Sequence, residues 1–414
     1  MMAASRTFRS LRNRNYRLYF FGQVVSMTGT WMQSVAMAWL VLRITGSGLA
    51  LGLAPALQFL PITLAGPWGG VLADRFDKRK IIIATQISSA GVALALGLVT
   101  VTGLVDLWMV YLLALLLGVI NLIDMPARQA FVMEMVGRED LTNAVSLNSV
   151  LVNLARIVGP ALAGLLIATV DIGVCFLINA ASYVAVIAGL LAMRPAELTR
   201  SLPAPARPGQ LGEGLRYAWS RPELRRSLLL MAVVGTLAYN FSVTLPLLTR
   251  FTFNAGARVY GNLFSVMGLG AVLGGLVVAT VGRADRRLLI GSTFAFGLAI
   301  LGAALVPALG GELAVMLPLG AASTAFIATS NSLLQLNASE EMRGRIMALW
   351  TVVFLGTTPL GGPLVGWIGG RFGPRAALGV GGVATLLAAG VALVGVRHIR
   401  KVRVVAADAE TVPA

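Results

Sequence analysis

The sequence predicts an all-α integral membrane protein: twelve spanning helices in two pseudo-symmetric six-helix bundles. Three observations lead there. Charge is thinned out in a chain of 414 residues, with 57% hydrophobic, 12% charged and a mean hydropathy of +0.82, where a soluble globular chain carries about 25% charged residues. Charge-free runs long enough to cross a bilayer recur twelve times, a crossing needing about 20 apolar residues per helix. Two short motifs also repeat about half a chain apart.

The runs follow in order. A basic arm, 1–17, leads into the first, 18–42, which is too long for a signal-peptide core, so no cleavage is expected. The second, 44–73, ends on a dense turn in which six of the seven positions from Asp74 to Lys80 are charged, broken only by Phe76. Then come 81–105, 107–123, a fifth within 141–170 that is interrupted by Arg156, and 172–193. A basic, Pro-rich segment, 194–226, reads as a linker with a short surface helix around 211–220. The remaining runs are 227–249, 259–282, 288–311, 313–339, 346–370 and 376–396. They must be helices, because open strands leave backbone groups unsatisfied in lipid. The expected units are therefore bundles at 18–193 and 227–397, with a tail at 398–414.

Basic residues set the expected orientation. With the N-terminus in the cytoplasm, inward segments hold 27 of the 33 Lys and Arg, outward segments hold 5, and Arg156 lies within a span. Both termini are then cytoplasmic, and the net charge of +16 is spread over loops facing anionic lipid. Nucleic-acid binding is not expected. Lone Cys175 and lone His398 exclude an internal disulfide, a metal cluster or a Ser-His-Asp triad within one chain. No Walker-type phosphate loop is present. Neither cofactor, metal nor enzymatic chemistry is expected.

The repeat is parallel. "GGVLADRFDKRKIII" starts at Gly69 and "GGLVVATVGRADRRLLI" at Gly274, 205 residues on; "GPALAG" starts at Gly159 and "GPLVG" at Gly362, 203 on. Two six-helix halves about an axis normal to the membrane are the plan of a transporter class that binds substrate near the midplane and rocks.

These stretches carry a resemblance to the major facilitator superfamily over nearly the whole chain. Its signature between helices two and three, Gly-x-Leu-Ala-Asp-Arg-x-Gly-Arg-Lys/Arg, is matched at Gly70, Leu72, Ala73, Asp74 and Arg75, with Lys78 and Arg79 at the basic end. Asp77 departs where the family has Gly. "NRNYRLYFFGQVVSMTGTWMQSVAMAWLV", "DMPARQAFVMEMVGREDLTNAVSLNS" and "MRGRIMAL" resemble the branch containing enterobactin exporters and macrolide-efflux proteins. The resemblance implies that Asp74 latches the two halves together on the inner side, with Arg75 and Arg79 as charge partners; a plain basic turn is the alternative. The efflux members' Gly-Pro-x-x-Gly-Gly signature is met in part by Gly159, Pro160 and Gly164, with Ala163 replacing a glycine. Gly362 and Pro363 are its counterpart in the second half, and both sites are expected to form hinge-like, closely packed interfaces.

Asp124 is the one acid clearly within a span. It either pairs structurally with a loop arginine such as Arg79, or titrates or pairs with Arg156 during transport. Arg156, one turn before Gly159, should face a cavity or a partner, since an Arg at the membrane centre costs about 2.5–3.5 kcal/mol on insertion scales. Neutral polar residues would line the pocket or bond neighbouring helices: Gln23, Gln33, Asn121, Asn153, Tyr239, Asn240, Asn331 and Gln335. So few acids favour a neutral or anionic amphiphile over a permanent cation.

The expected function is export of a small organic molecule, drug-like or siderophore-like, across the bacterial cytoplasmic membrane by alternating access. Proton antiport is implied by the resemblance, as is a monomer. The rivals are an importer or facilitator on the same fold, and a non-transporting membrane sensor.

Overall fold

The computed structural model describes residues 7–199 and 210–410, leaving out the side chains of Pro67, Asp74, Gln210, Leu211 and residues 395–410. The expectations for the Asp74 side chain, for His398 and for the ends of the arm and tail lie outside these residues.

Among the described residues, ten helical stretches are long and apolar enough to span a bilayer. One of them, Leu107–Thr169, is two helices, because Gly137 at φ 69° and ψ −177° sits in a region closed to L side chains. Arg14–Thr45, with 32 residues, is more polar but long enough to span. The twelve helices are α1 (Arg14–Thr45), α2 (Gly48–Arg75), α3 (Lys78–Val101), α4 (107–136), α5 (138–169) and α6 (Ile172–Leu191), then α7 (Pro222–Thr252), α8 (Ala257–Val281), α9 (Arg286–Leu305), α10 (Leu309–Asn337), α11 (Glu340–Phe372) and α12 (Pro374–Glu410). The linker helix, Gln210–Ser220, lies between α6 and α7. Below, the linker end is the one where α6 finishes and α7 begins; the opposite end is the far end.

Residue chemistry starts and stops these helices. Asn13 caps α1 by accepting from the Tyr16 amide, and Gly46, at φ 62°, ends it in the left-handed region that glycine enters freely. Asp77 caps α3 through the Lys80 amide at 3.2 Å, and Asp285 caps α9 through the Leu288 amide at 2.7 Å. The acid at 77, which departs from the family signature, is thus a helix N-cap with a counterpart in the second half.

Two helices are broken. In α7 the backbone leaves the helix at Ala238–Asn240 and resumes at Phe241. In α11 it is interrupted at Thr357. Both breaks lie near the middle of their helices. The interruption in α11 precedes Gly362 and Pro363, and both Gly-Pro sites remain within helix. Both sites are closely packed, as expected: Gly159 lies against Thr28 and Trp31, and Gly362 against the Gly52 carbonyl.

The repeat is visible in how glycines seat one helix on another. A Cβ on Gly69 would strike the Leu122 carbonyl of α4, and one on Gly274 the Ala321 carbonyl of α10. Gly97 of α3 lies against Leu177 of α6, as Gly297 of α9 lies against Leu386 of α12. Small residues let membrane helices approach to backbone contact, where dispersion and weak hydrogen bonds substitute for a hydrophobic driving force. Gly70, by contrast, has open space where its Cβ would be, so its neighbour Gly69 makes the close contact attributed to the pair.

The halves meet along α2–α11 and α5–α8. At the far end, Gly48 and Gly52 of α2 lie against the carbonyls of Gly366 and Gly362 of α11, and the reverse contacts also hold. On the other side, Gly261 of α8 seats on the Pro160 carbonyl and on Gly164 of α5, and Gly164 approaches Ala257 and Arg258. Nearer the middle, the Ser265 hydroxyl donates to the Ile157 carbonyl at 2.7 Å. All these contacts close the far end. Among the described residues, no ion pair joins the halves at the linker end.

Candidate functional site

A cavity of about 710 Å³ lies between the halves. Trp31 and Ala38 of α1 and Tyr260 and Phe264 of α8 wall it toward the far end; Tyr19, Asp124, Arg128, Gln129 and Asn148 line it toward the linker end. Its aromatic wall comes from both halves. Trp31 packs on Phe264 with centroids 6.1 Å apart, Tyr239 meets Phe354 at 5.6 Å, and Tyr260 is backed by Trp39, a core residue outside the lining, at 6.1 Å. The break in α7 presents Tyr239 here. Its neighbour Asn240 turns inward and donates to the Gly235 carbonyl at 3.3 Å and the Thr236 carbonyl at 2.8 Å, satisfying groups that the break exposes.

Only three charged residues line the cavity among those described: Asp124, Arg128 and Arg156. Asp124 is 2% exposed. It accepts from Thr85 Oγ1 at 2.6 Å and Gln86 Nε2 at 3.1 Å, and it forms an ion pair with Arg128 one turn along α4. Arg128 also donates to Gln23 Oε1 at 2.7 Å. The partner of Asp124 is thus neither Arg79 nor Arg156. The hydrophobic run ended at 123, but α4 continues to 136, so Arg128 belongs to the helix and not to a loop. Glu134 is buried as well, in an ion pair with buried Lys78 at 2.9 Å.

Arg156 is half-buried on α5. One Nη donates to the Tyr239 hydroxyl of α7 at 3.2 Å, and the guanidinium lies 5.5 Å from the centroid of the Trp31 ring. Its Nε is buried without a hydrogen-bond partner.

The other sequence candidates divide. Asn121, Tyr239 and Asn240 line the cavity, as does Gln33, whose Oε1 also accepts from Asn179 at 2.6 Å. Gln23 is 1% exposed and committed to Arg128. Asn153 does not line the cavity; it donates to the Ser149 carbonyl of its own helix at 2.8 Å. Asn331 and Gln335 bond one another at 2.6 Å on α10, also away from the cavity. At the charged turn, Arg75 is exposed, while Arg79 donates to the Leu190 carbonyl at 2.8 Å and the Leu191 carbonyl at 3.2 Å, satisfying the end of α6. Sequence reading missed Arg128 and Lys78–Glu134. The i, i+4 spacing of Asp124 and Arg128 was a signal for the first. The aromatic wall carried no signal, since aromatic residues occur in any apolar helix.

The profile of a family described as transmembrane secretion effector matches residues 5–412. A staphyloferrin A transporter of Staphylococcus aureus is 24% identical over 381 residues, 89% of this chain and 93% of that protein. An enterobactin exporter of Escherichia coli is 28% identical over 397 residues, 93% of each. A macrolide efflux protein of Streptococcus pyogenes is 25% identical over 363 residues, 84% of this chain and 88% of that protein. Among solved structures, a bacterial homologue of the human lysosomal transporter Spinster, inward-facing and unoccupied, superposes with a TM-score of 0.75 at 15% identity, covering 94% of this chain and 98% of that one. That likeness concerns the fold.

Proposed function

The chain belongs to the transmembrane secretion effector family of the major facilitator superfamily, and from that premise we propose that it exports a small organic molecule across the bacterial cytoplasmic membrane by alternating access. The cargo is of the siderophore or drug type, as in the relatives. One observation carries the mechanism: backbone-close glycine contacts seal both inter-half seams at the far end, over a cavity of about 710 Å³ at mid-depth. With the linker end cytoplasmic, as the basic residues favour, this is the conformation that loads cargo from inside. Rocking the halves would part the glycine seams and bring the linker ends together.

Proton entry is the proposed energy source. Asp124 is the carboxylate of the cavity lining, and a proton taken up there would release Arg128 from its ion pair. Asp74 is proposed as the inner latch that forms when the linker ends close. The chain would work as a monomer of two bundles, with both termini cytoplasmic.

Inverted vesicles holding the purified protein, with an acid interior, give the test. Accumulation of a siderophore or a drug from a mixed panel, driven by the gradient, is the expected result. Equilibration with no response to the gradient would favour a facilitator. Gradient-driven loss of preloaded cargo from the vesicles would favour an importer.

A further inference from the structure

Charge inside the cavity does not balance. Asp124 is committed to Arg128, Thr85 and Gln86, and Arg128 also has Gln23. That leaves Arg156. Among the described residues no carboxylate lies within ion-pairing distance of it, its one hydrogen-bond partner is the neutral Tyr239 hydroxyl, and its Nε is buried and unpartnered. A guanidinium held beside apolar walls without a counter-charge is costly, and in a membrane such a group usually serves a function. The planar fork is also the group best suited to two-point recognition of an oxyanion. Its position matters too. Arg156 belongs to the first half and Tyr239 to the second, and Trp31 and Phe354 extend the aromatic wall on either side.

We propose that Arg156 is the receptor for an acidic group on the cargo, a carboxylate or similar oxyanion borne on an aromatic body that lies between Trp31 and Tyr239. The anion takes up the Nε and Nη donors and replaces the Tyr239 hydroxyl on the guanidinium. Binding thereby removes a hydrogen bond that joins the halves, so loading and release of the halves are one event. The proposal deepens the export reading and rests on the cavity being the transport site.

Dansylglycine, a soluble fluorescent aryl carboxylate, and dansylglycinamide, the same body without the charge, serve as probes for the full-length protein in detergent. The wild type should bind the carboxylate at least about tenfold more tightly, the scale of one charge-assisted contact. Arg156→Gln should abolish that preference, so that the carboxylate binds no more tightly than the amide. Arg156→Lys should keep part of it, since the charge remains and the fork is lost, and a melting curve establishes that both variants fold. Equal binding of the two probes by the wild type, binding of neither, or a preference surviving in Arg156→Gln would each overturn the proposal. Vesicle transport of the same probes separates the two readings. A carboxylate preference in binding without gradient-driven movement would leave the anion site standing and count against export, whereas export of both probes without preference would do the reverse.

Discussion

At the scale of residues, the cavity floor is organised by one carboxylate with three polar partners, one of which holds a fourth residue. Asp124 holds Arg128, and Arg128 holds Gln23, which ties α4 to α1, while Thr85 and Gln86 tie α4 to α3. Removing one member of a buried ion pair costs about 3–5 kcal/mol because the other charge is left behind. Asp124→Asn should therefore destabilise the protein by about 3 kcal/mol and lower its melting temperature in detergent. Asp124→Asn with Arg128→Gln should recover most of that loss, since no orphaned charge remains. A double variant that loses as much as the sum of the singles would show that the two residues act independently. Asp124 stood out in the sequence as an acid inside an apolar run. Its partner did not, because counting charge-free residues ended α4 too early and assigned Arg128 to a loop. Asn153, Asn331 and Gln335 misled for a related reason: a neutral polar residue on a membrane helix can bond its own backbone or a neighbour one turn away.

At the scale of elements, the glycines decide how the halves meet. The α2–α11 seam places Gly48 and Gly52 against Gly366 and Gly362 with carbonyls where a side chain would have to go. Gly52→Val should force the far ends apart and shift the population away from the far-end-closed conformation. The check uses a Cys175→Ala background with Ala38→Cys, a buried position in the cavity wall. An impermeant maleimide added from the far side should label Cys at 38 at least about tenfold faster when Gly52→Val is present, since a shift of about 1.4 kcal/mol already moves a conformational equilibrium tenfold. Unchanged labelling would mean the seam does not hold the far end shut. The helices themselves were largely legible from hydropathy, and the parallel repeat was legible from two motif offsets. The inner break of α7 was not, whereas that of α11 had a signal in Pro359, which lacks an amide hydrogen and sits in the first turn of the resumed helix. Nothing in the apolar stretch around Ala238–Asn240 marks it as non-helical, and at Gly362-Pro363 the more obvious breaker stays helical because α2 packs directly on it.

At the scale of the whole molecule, the two bundles touch closely through glycine seams at the far end and enclose a cavity between them. Equivalent glycines, Gly69 with Gly274 and Gly97 with Gly297, pack the helices of each bundle to backbone contact. Rigid halves joined through seams of small residues are suited to rocking, because backbone contacts can separate and re-form without repacking large side chains. The charged turn from Asp74 to Lys80 fits that picture. Lys78 and Arg79 anchor α3 to α4 and α6 within the first half, leaving exposed Arg75 at the surface that would close. Rocking moves the two ends reciprocally, and distances between paired spin labels report that motion most directly. One pair, on Leu49 and Phe372, spans α2 and α11 at the far end; a second, on Arg75 and Glu341, spans the same helices at the linker end. In proteoliposomes, conditions that turn the transporter over should lengthen the first distance and shorten the second together. A far-end distance that changes while the linker-end distance stays fixed, or no change in either during measurable transport, would contradict alternating access by rocking halves.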